Sequence, residues 1–258
     1  MENTLIIDIE TWPEQEDILE RFANVGTLPE RQDFDPSSVK LGNLKDEAKI
    51  AAKIEAARIS HEEQQDILCD PERAKEDAME KVREKCCLKG HLCRIYGWGA
   101  KDDGFTKEIV QVPDPTRDQE RTLVKDLLEI LAEHLGSDTR GSKVAGWNTE
   151  GFDLPVIFQR AMILGIKIPF RVTTPLFYNE WSLDLAQQWS FATGGRSSGH
   201  YVSLNDAAKA LGLEPKIHLD GKLPWEMCVE SPQRAKEYLE RDIDLTYDVG
   251  CRMMGVLS

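Results

Sequence analysis

The chain has 258 residues, of which 32 are basic and 46 acidic, so its formal net charge is −14. This acidity argues against a protein that holds nucleic acid or an anionic membrane through overall positive charge, because such binding neutralises phosphates. Apolar residues make up 41% and charged residues 30% of the chain, a composition that supports a packed core. With six cysteines and no apolar run near the roughly 20 residues that cross a bilayer, we expect a cytoplasmic protein that binds no membrane.

A short strand and a helical segment are predicted in the N-terminal third. Thr4–Glu10 is rich in β-branched residues and is followed by Trp12-Pro13, which predicts a strand. From residue 44 to residue 85 the composition changes to Ala, Glu, Lys and Arg, which predicts helices interrupted near Asp70-Pro71. We therefore expect residues 13–88 to form a mostly helical insertion after the first strand.

The rest of the chain changes between strand and helix patterns. His91–Gly97 and Phe105–Val112 are predicted strands, joined by the turn sequence Lys101-Asp-Asp-Gly104. Leucines and isoleucines at spacings of three and four predict a helix over Asp118–Leu135. The remaining predicted elements are a strand at Lys143–Trp147 and helices at Phe152–Leu164, Leu204–Leu211 and Pro232–Met254. This order predicts an α/β fold in which helices flank a mixed sheet, and we interpret residues 1–258 as a single domain.

Two carboxylates lie two residues apart in the first predicted strand. Alternate residues of a strand share a face, so Asp8 and Glu10 point to one side while Ile7 and Ile9 point to the other. Neighbouring carboxylates repel each other and gain nothing from burial unless a cation shares them. The pair therefore indicates either a cation site or the polar face of an edge strand.

Two later segments carry further candidate carboxylates. Asp153 lies in Gly146-Trp-Asn-Thr-Glu-Gly-Phe-Asp-Leu-Pro155, between a predicted strand and a predicted helix, where an aspartate can also act as a helix cap. In the last helix, Tyr238 and Asp242 lie one turn apart on the same face, and Asp244 lies nearly opposite. Taken alone, Asp242 is equally compatible with an exposed residue on a charged helix.

In chain order, these segments resemble the three exonuclease motifs of the DEDD family. The motifs are Asp-x-Glu on a first strand, Asn-x-x-x-Phe-Asp at a strand–helix junction and Tyr-x-x-x-Asp on a terminal helix. The tyrosine is typical of the DEDDy branch, and the Phe-Asp-Leu-Pro context is most similar to the proofreading exonuclease domains of family B DNA polymerases and their stand-alone relatives. The resemblance implies a ribonuclease H-like α/β fold with a mixed five-stranded sheet, and removal of nucleotides from 3′ ends.

The same resemblance implies a site with two divalent ions, Mg²⁺ or Mn²⁺, which prefer oxygen ligands. The metal ligands would be Asp8, Glu10, Asp153 and Asp242. A free phenol has a pKa near 10, so we expect Tyr238 to hold the attacking water rather than to deprotonate it. The contacts to the terminal nucleotide would come from Thr11, Asn148 and Phe152.

Three functions remain open at this point. We expect a 3′–5′ exonuclease, metal-dependent and acting on single-stranded or frayed DNA, yet the same motifs also serve exoribonucleases on short RNA. A non-catalytic subunit for nucleic-acid binding or assembly is the third, with the helical segment at 44–85 as a surface for a protein partner. The resemblance covers residues 4–12, about 91–164 and 203–254, whereas the insertion departs from it.

Overall fold

The computed structural model describes residues 1–42, 46–103, 107–136, 141–190, 202–215 and 223–257. The strands are β1 (Thr4–Pro13), β2 (Cys93–Lys101), β3 (Lys107–Gln111), β4 (Lys143–Gly146) and β5 (Ser182–Asp184). The helices are α1 (Glu16–Glu20), α2 (Glu47–Leu68), α3 (Pro71–Arg83), α4 (Arg117–Leu135), α5 (Asp153–Leu164), α6 (Leu185–Trp189), α7 (Leu204–Ala210), α8 (Pro224–Glu230) and α9 (Pro232–Leu257). The chain divides into an inserted unit, Gln15–Lys85, and a core unit made of Met1–Glu14 and Cys86–Ser258.

The core unit is built on one mixed sheet with the strand order β3-β2-β1-β4-β5. The β1–β2 and β2–β3 pairs are antiparallel, whereas β1–β4 and β4–β5 are parallel. Because β1 is the central strand, the edge-strand alternative for Asp8 and Glu10 is wrong. The sheet and its flanking helices confirm the predicted α/β class with a ribonuclease H-like fold.

β1 buries different side chains on its two faces. Ile7 and Ile9 pack into a core cluster with residues of α4 and α5. Ile6, on the other face, packs with Ile243 of α9. Since side chains alternate along a strand, Asp8 and Glu10 share the face that α9 covers.

Most predicted elements occur, with ends that differ by a few residues. β2 begins at Cys93 and continues to Lys101, where the turn was expected to begin. Phe105 and Gly104, the predicted start of the next strand and end of the turn, lie outside the described residues. The three-residue strand β5 and the short helices α6 and α8 show too little periodicity to have been predicted from the residues.

The inserted unit is helical, as its composition predicts. The side chain of Asp70 accepts hydrogen bonds from the first turn of α3, and Pro71 is the first residue of that helix. An ion pair of 2.7 Å between Arg31 and Asp66 connects the preceding loop to α2. Within the described part of the chain, no helix is long and apolar enough to cross a membrane. The interpretation of residues 1–258 as one domain remains a prediction.

Candidate active site

Three carboxylates from β1 and α9 converge on one face of the sheet. One oxygen each of Asp8, Glu10 and Asp242 lies within 4.8 Å of the other two. Asp8 is half-buried, whereas Glu10 and Asp242 are 7% and 5% exposed. Asp242 is therefore not an exposed residue of a charged helix, and the predicted cation site has three of its four carboxylates in one cluster.

The fourth predicted carboxylate, Asp153, approaches this cluster from the start of α5. Its Oδ1 accepts a hydrogen bond of 3.1 Å from the backbone N–H of Ile9, and the N-cap of α5 is Phe152. The capping alternative for Asp153 is therefore wrong. Burial raises the pKa of Asp153, and the charge of Asp8 raises it further. The hydrogen bond from the N–H of Ile9 lowers this pKa, but the net shift is upward.

This set of donors fits hard divalent cations. The described ligands that cluster here are carboxylates only, and Mg²⁺ and Mn²⁺ prefer oxygen ligands. Carboxylates this close repel each other, which is why Asp8 raises the pKa of Asp153. A cation shared by the cluster would compensate both the repulsion and the cost of burying the charges.

Tyr238 lies one helical turn before Asp242 in α9. Its side chain is buried, and it packs in a cluster with Tyr96 of β2 and Cys228 of α8. Burial raises the pKa of both Tyr96 and Cys228, the latter to about 11, and the charge of Glu10 adds to both effects. Tyr238 therefore packs among side chains whose pKa values the charge of Glu10 raises.

The loop between β4 and α5 presents Asn148, which has a left-handed backbone conformation with φ 64°. The side chain of Asp184, at the end of β5, holds this loop. Its Oδ1 accepts a bond of 3.2 Å from the N–H of Asn148, and its Oδ2 accepts one of 3.1 Å from the N–H of Glu150. Asp184 therefore positions Asn148 while it caps α6.

Thr11 directly follows Glu10 in the sequence, and Phe152 directly precedes Asp153. The hydroxyl of Thr11, next to Glu10, donates a hydrogen bond of 2.8 Å to the carbonyl of Cys87. Phe152 is half-buried and immediately precedes Asp153. Their contacts to a nucleotide remain predictions, as does the contact of Asn148.

Two glycines of β2, which are not part of the sequence motifs, lie opposite carboxylates of the site. Gly99 pairs with Asp8 across the sheet, and Gly97 pairs with Glu10. A Cβ at Gly99 would lie 2.8 Å from Cγ1 of Ile243 in α9, which is closer than unbonded carbons approach. The spacing Gly-x-Gly within a predicted strand is the signal that could have found them, because glycine in a strand often marks a close approach.

Comparisons with known proteins bear on the core unit. A family model described as "Predicted 3′–5′ exonuclease related to the exonuclease domain of PolB" matches residues 87–257. Among solved structures, the family B DNA polymerase from the hyperthermophilic archaeon Pyrobaculum calidifontis is similar to the chain, with a TM-score of 0.48 and 13% sequence identity over 97% of this chain. The chain spans 24% of the length of that polymerase. No curated protein sequence matches the chain.

Proposed function

Because the chain belongs to the family of predicted 3′–5′ exonucleases related to the exonuclease domain of PolB, we propose that it removes nucleotides from the 3′ ends of single-stranded or frayed DNA. The observation that carries the proposal is the convergence of Asp8, Glu10 and Asp242, whose oxygens lie within 4.8 Å of one another. Hydrolysis adds water across the P–O3′ bond. The strand then keeps a 3′-hydroxyl, and the terminal nucleotide leaves as a 5′-monophosphate.

We assign two divalent ions, Mg²⁺ or Mn²⁺, to Asp8, Glu10, Asp153 and Asp242. When bound, such ions stabilise charge on the attacking and leaving oxygens and lower the pKa of water. Asp8 belongs to the cluster with Glu10 and Asp242, and its charge also raises the pKa of Asp153. It is therefore the side chain best suited to serve both ions.

The other site residues orient the reacting groups. We assign Tyr238 to hold the attacking water through its hydroxyl, since a phenol is a weak base at neutral pH. The backbone at Thr11, the side chain of Asn148 and the ring of Phe152 contact the terminal nucleotide. Asp184 supports this role because it fixes the backbone of Asn148.

Digestion of a 5′-labelled single-stranded DNA tests the proposal. In Mg²⁺ or Mn²⁺ we expect products that shorten from the 3′ end, and in EDTA we expect the intact strand. Asp242→Asn should lower the rate by about 100-fold or more, because it removes a charged metal ligand. Asp248→Asn is the matched control, since Asp248 is an exposed aspartate of the same helix. An intact DNA strand under all conditions would refute the proposal.

Two further measurements separate the alternatives. An RNA strand of the same sequence, digested in parallel, distinguishes an exoribonuclease from the proposed deoxyribonuclease by the ratio of the two rates. Calorimetric titration with Mn²⁺ distinguishes a non-catalytic subunit, for which weak metal binding is expected. Cytoplasmic localisation, and a protein partner on the helical segment at 44–85, remain predictions.

A further inference from the structure

A groove in the core unit is lined by a lysine, a histidine, a glutamine and apolar groups, and its lining includes Phe152, the residue before Asp153. It has a volume of about 310 Å³ and runs between the turn at residues 88–91 and the start of α5. Its lining includes Lys89, His91, Phe152 and Pro155. None of the described lining residues is acidic, although the chain carries 46 acidic side chains. This volume is near the lower limit, roughly 300 Å³, of pockets that hold small organic ligands.

Hydrogen bonds and close packing fix the turn that carries Lys89 and His91. The N–H of Leu92 donates a bond of 2.8 Å to the carbonyl of Lys89. The carbonyl of Gly90 accepts a bond of 3.1 Å from the buried guanidinium of Arg160 in α5. A Cβ at Gly90 would lie 2.6 Å from Oε1 of Gln159, so glycine allows this close approach to α5. The groove is therefore formed before any ligand binds.

Both walls of the groove connect to the carboxylate site. On the α5 side, Phe152 lines the groove and immediately precedes Asp153. On the other side, Thr11 follows Glu10 and its hydroxyl bonds to the carbonyl of Cys87, which leads into the turn. Phe152 on one wall and the hydrogen bond of Thr11 on the other thus connect the groove to residues that directly neighbour two of the carboxylates.

We propose that this groove binds the penultimate nucleotide of the substrate strand, with its 5′-phosphate held by Lys89 and His91. The inference rests on the proposed function. A 3′-terminal nucleotide has a single phosphate, the scissile one, and that phosphate belongs at the carboxylates. The first phosphate that remains for an ammonium group and an imidazole N–H is the one on the next nucleotide upstream. Phe152 forms the wall that this subsite shares with the terminal nucleotide.

Two dinucleotides that differ only in a 5′-phosphate test the groove directly. Each is used as a competitor while the protein cleaves a labelled single-stranded DNA in Mn²⁺, and the inhibition constant is measured. We expect the 5′-phosphate to lower the inhibition constant about tenfold for the parent. In the double variant Lys89→Ala/His91→Ala this gain should fall below about twofold, because the phosphate has lost its donors. Lys125→Ala, which changes an exposed lysine of α4, should keep the gain.

The outcomes separate this inference from the proposed function. If the labelled strand is cleaved but the two dinucleotides compete equally, or neither competes, the groove does not bind the upstream phosphate. If the 5′-phosphate still lowers the inhibition constant about tenfold in the double variant, other residues hold that phosphate. This result would also overturn the inference. If the labelled strand is not cleaved at all, the proposed function fails, and the inference fails with it.

Discussion

Asp153 is a carboxylate whose surroundings oppose its charge. It is 2% exposed, and both burial and the charge of Asp8 raise its pKa. Its oxygen nevertheless accepts a hydrogen bond from the N–H of Ile9, which fixes the side chain at the carboxylate cluster. A residue held in this way costs stability in the absence of a cation, and the metal binding that we propose for Asp153 would account for this cost.

Asp153→Asn separates these two effects. The neutral amide removes the repulsion by Asp8 and still accepts a bond from Ile9, so we expect the free energy of unfolding in EDTA to equal the parent's or to exceed it by about 1 kcal/mol. The stabilisation that excess Mn²⁺ gives the parent should be largely absent in the variant. Urea unfolding of both proteins, in EDTA and in Mn²⁺, measures this. Lower stability in EDTA combined with an unchanged effect of Mn²⁺ would contradict the assignment.

How much of the site could be predicted depended on how local its interactions are. The shared face of Asp8 and Glu10 follows from alternation in a strand, and the shared face of Tyr238 and Asp242 follows from the helical repeat. The role of Asp153 was ambiguous because a helix cap is a local interaction, whereas its partner Ile9 is 144 residues away. Nothing in the sequence around Asp153 distinguishes a helix cap from a side chain that bonds to a distant strand.

At the scale of elements, the position of α9 against the sheet decides whether Asp242 reaches β1. Gly99 allows this approach, because a Cβ there would lie 2.8 Å from Cγ1 of Ile243, the residue after Asp242. The helix is held on its other side by Asp244, whose carboxylate lies 2.9 Å from Nζ of Lys101 and 3.0 Å from Nζ of Lys107. One glycine and one ion cluster thus set where α9 lies on β2 and β3.

Gly99→Ala should displace α9 and lower the exonuclease rate at least tenfold, because a shift of about 1 Å at a reacting centre is enough for such a loss. The double variant Gly99→Ala/Ile243→Ala should recover part of the rate, since it removes the close contact with α9 and leaves only the one of 2.8 Å with Cδ1 of Ile109 in β3. Gly255→Ala is the control, because a Cβ at Gly255 of the same helix meets no atom within 4 Å. Full activity of Gly99→Ala would show that the close packing is not needed.

Asp244→Asn should reveal a pH-dependent contribution to stability. Burial alone would raise the pKa of Asp244, but hydrogen bonds from Lys101 and Lys107 outweigh it, and the pKa is lowered. A lowered carboxyl pKa stabilises the fold above the unfolded value, about 3.9, and this contribution is lost as the pH falls through the folded value. We expect the variant to be about 1 kcal/mol less stable at pH 7 and the difference to shrink below about pH 4.

Urea unfolding of the parent and the variant across this pH range measures the difference, in which the titration of the other carboxylates largely cancels. A difference that stays constant from neutral to acidic pH would mean that the charge of Asp244 does not hold α9.

The element order was predicted where segments are long and periodic, as in α4 and α9. It could not be predicted from the residues for β5, because three residues are too few to show alternation. The central position of β1 was also unpredictable from its own sequence, since it depends on which strands pair with it. The five-stranded sheet was expected from the family resemblance and is confirmed by the pairing of the strands.

At the scale of the whole molecule, the net charge of −14 limits how the protein meets nucleic acid. An acidic surface disfavours nonspecific binding to a polyanion, whereas the divalent cations proposed for the carboxylate cluster would reverse the local field for an arriving phosphate. The groove that contains Lys89 and His91 has no acidic group among its described lining residues, which agrees with the proposed binding of the upstream strand. The net charge therefore disfavours binding along a duplex and is compatible with the proposed capture of a single chain end.

The family match begins at residue 87, so the two carboxylates of β1 lie outside it. In the structure, β1 pairs with both β2 and β4, and Asp8 and Glu10 thereby meet Asp242. The inserted unit, Gln15–Lys85, separates β1 from the matched segment in sequence while the sheet joins them. The candidate site is thus completed by residues that the match does not include.

The proposed function requires these carboxylates to hold the ions that release 3′-terminal nucleotides. The most direct measurement follows a DNA strand labelled in its 3′-terminal nucleotide, with the parent and Asp8→Asn compared under single-turnover conditions in Mn²⁺. We predict that the parent releases the label as a nucleoside 5′-monophosphate and that Asp8→Asn is slower by about 100-fold or more. Release at the same rate by both proteins, or a label that stays on the strand with the parent, would contradict the claim.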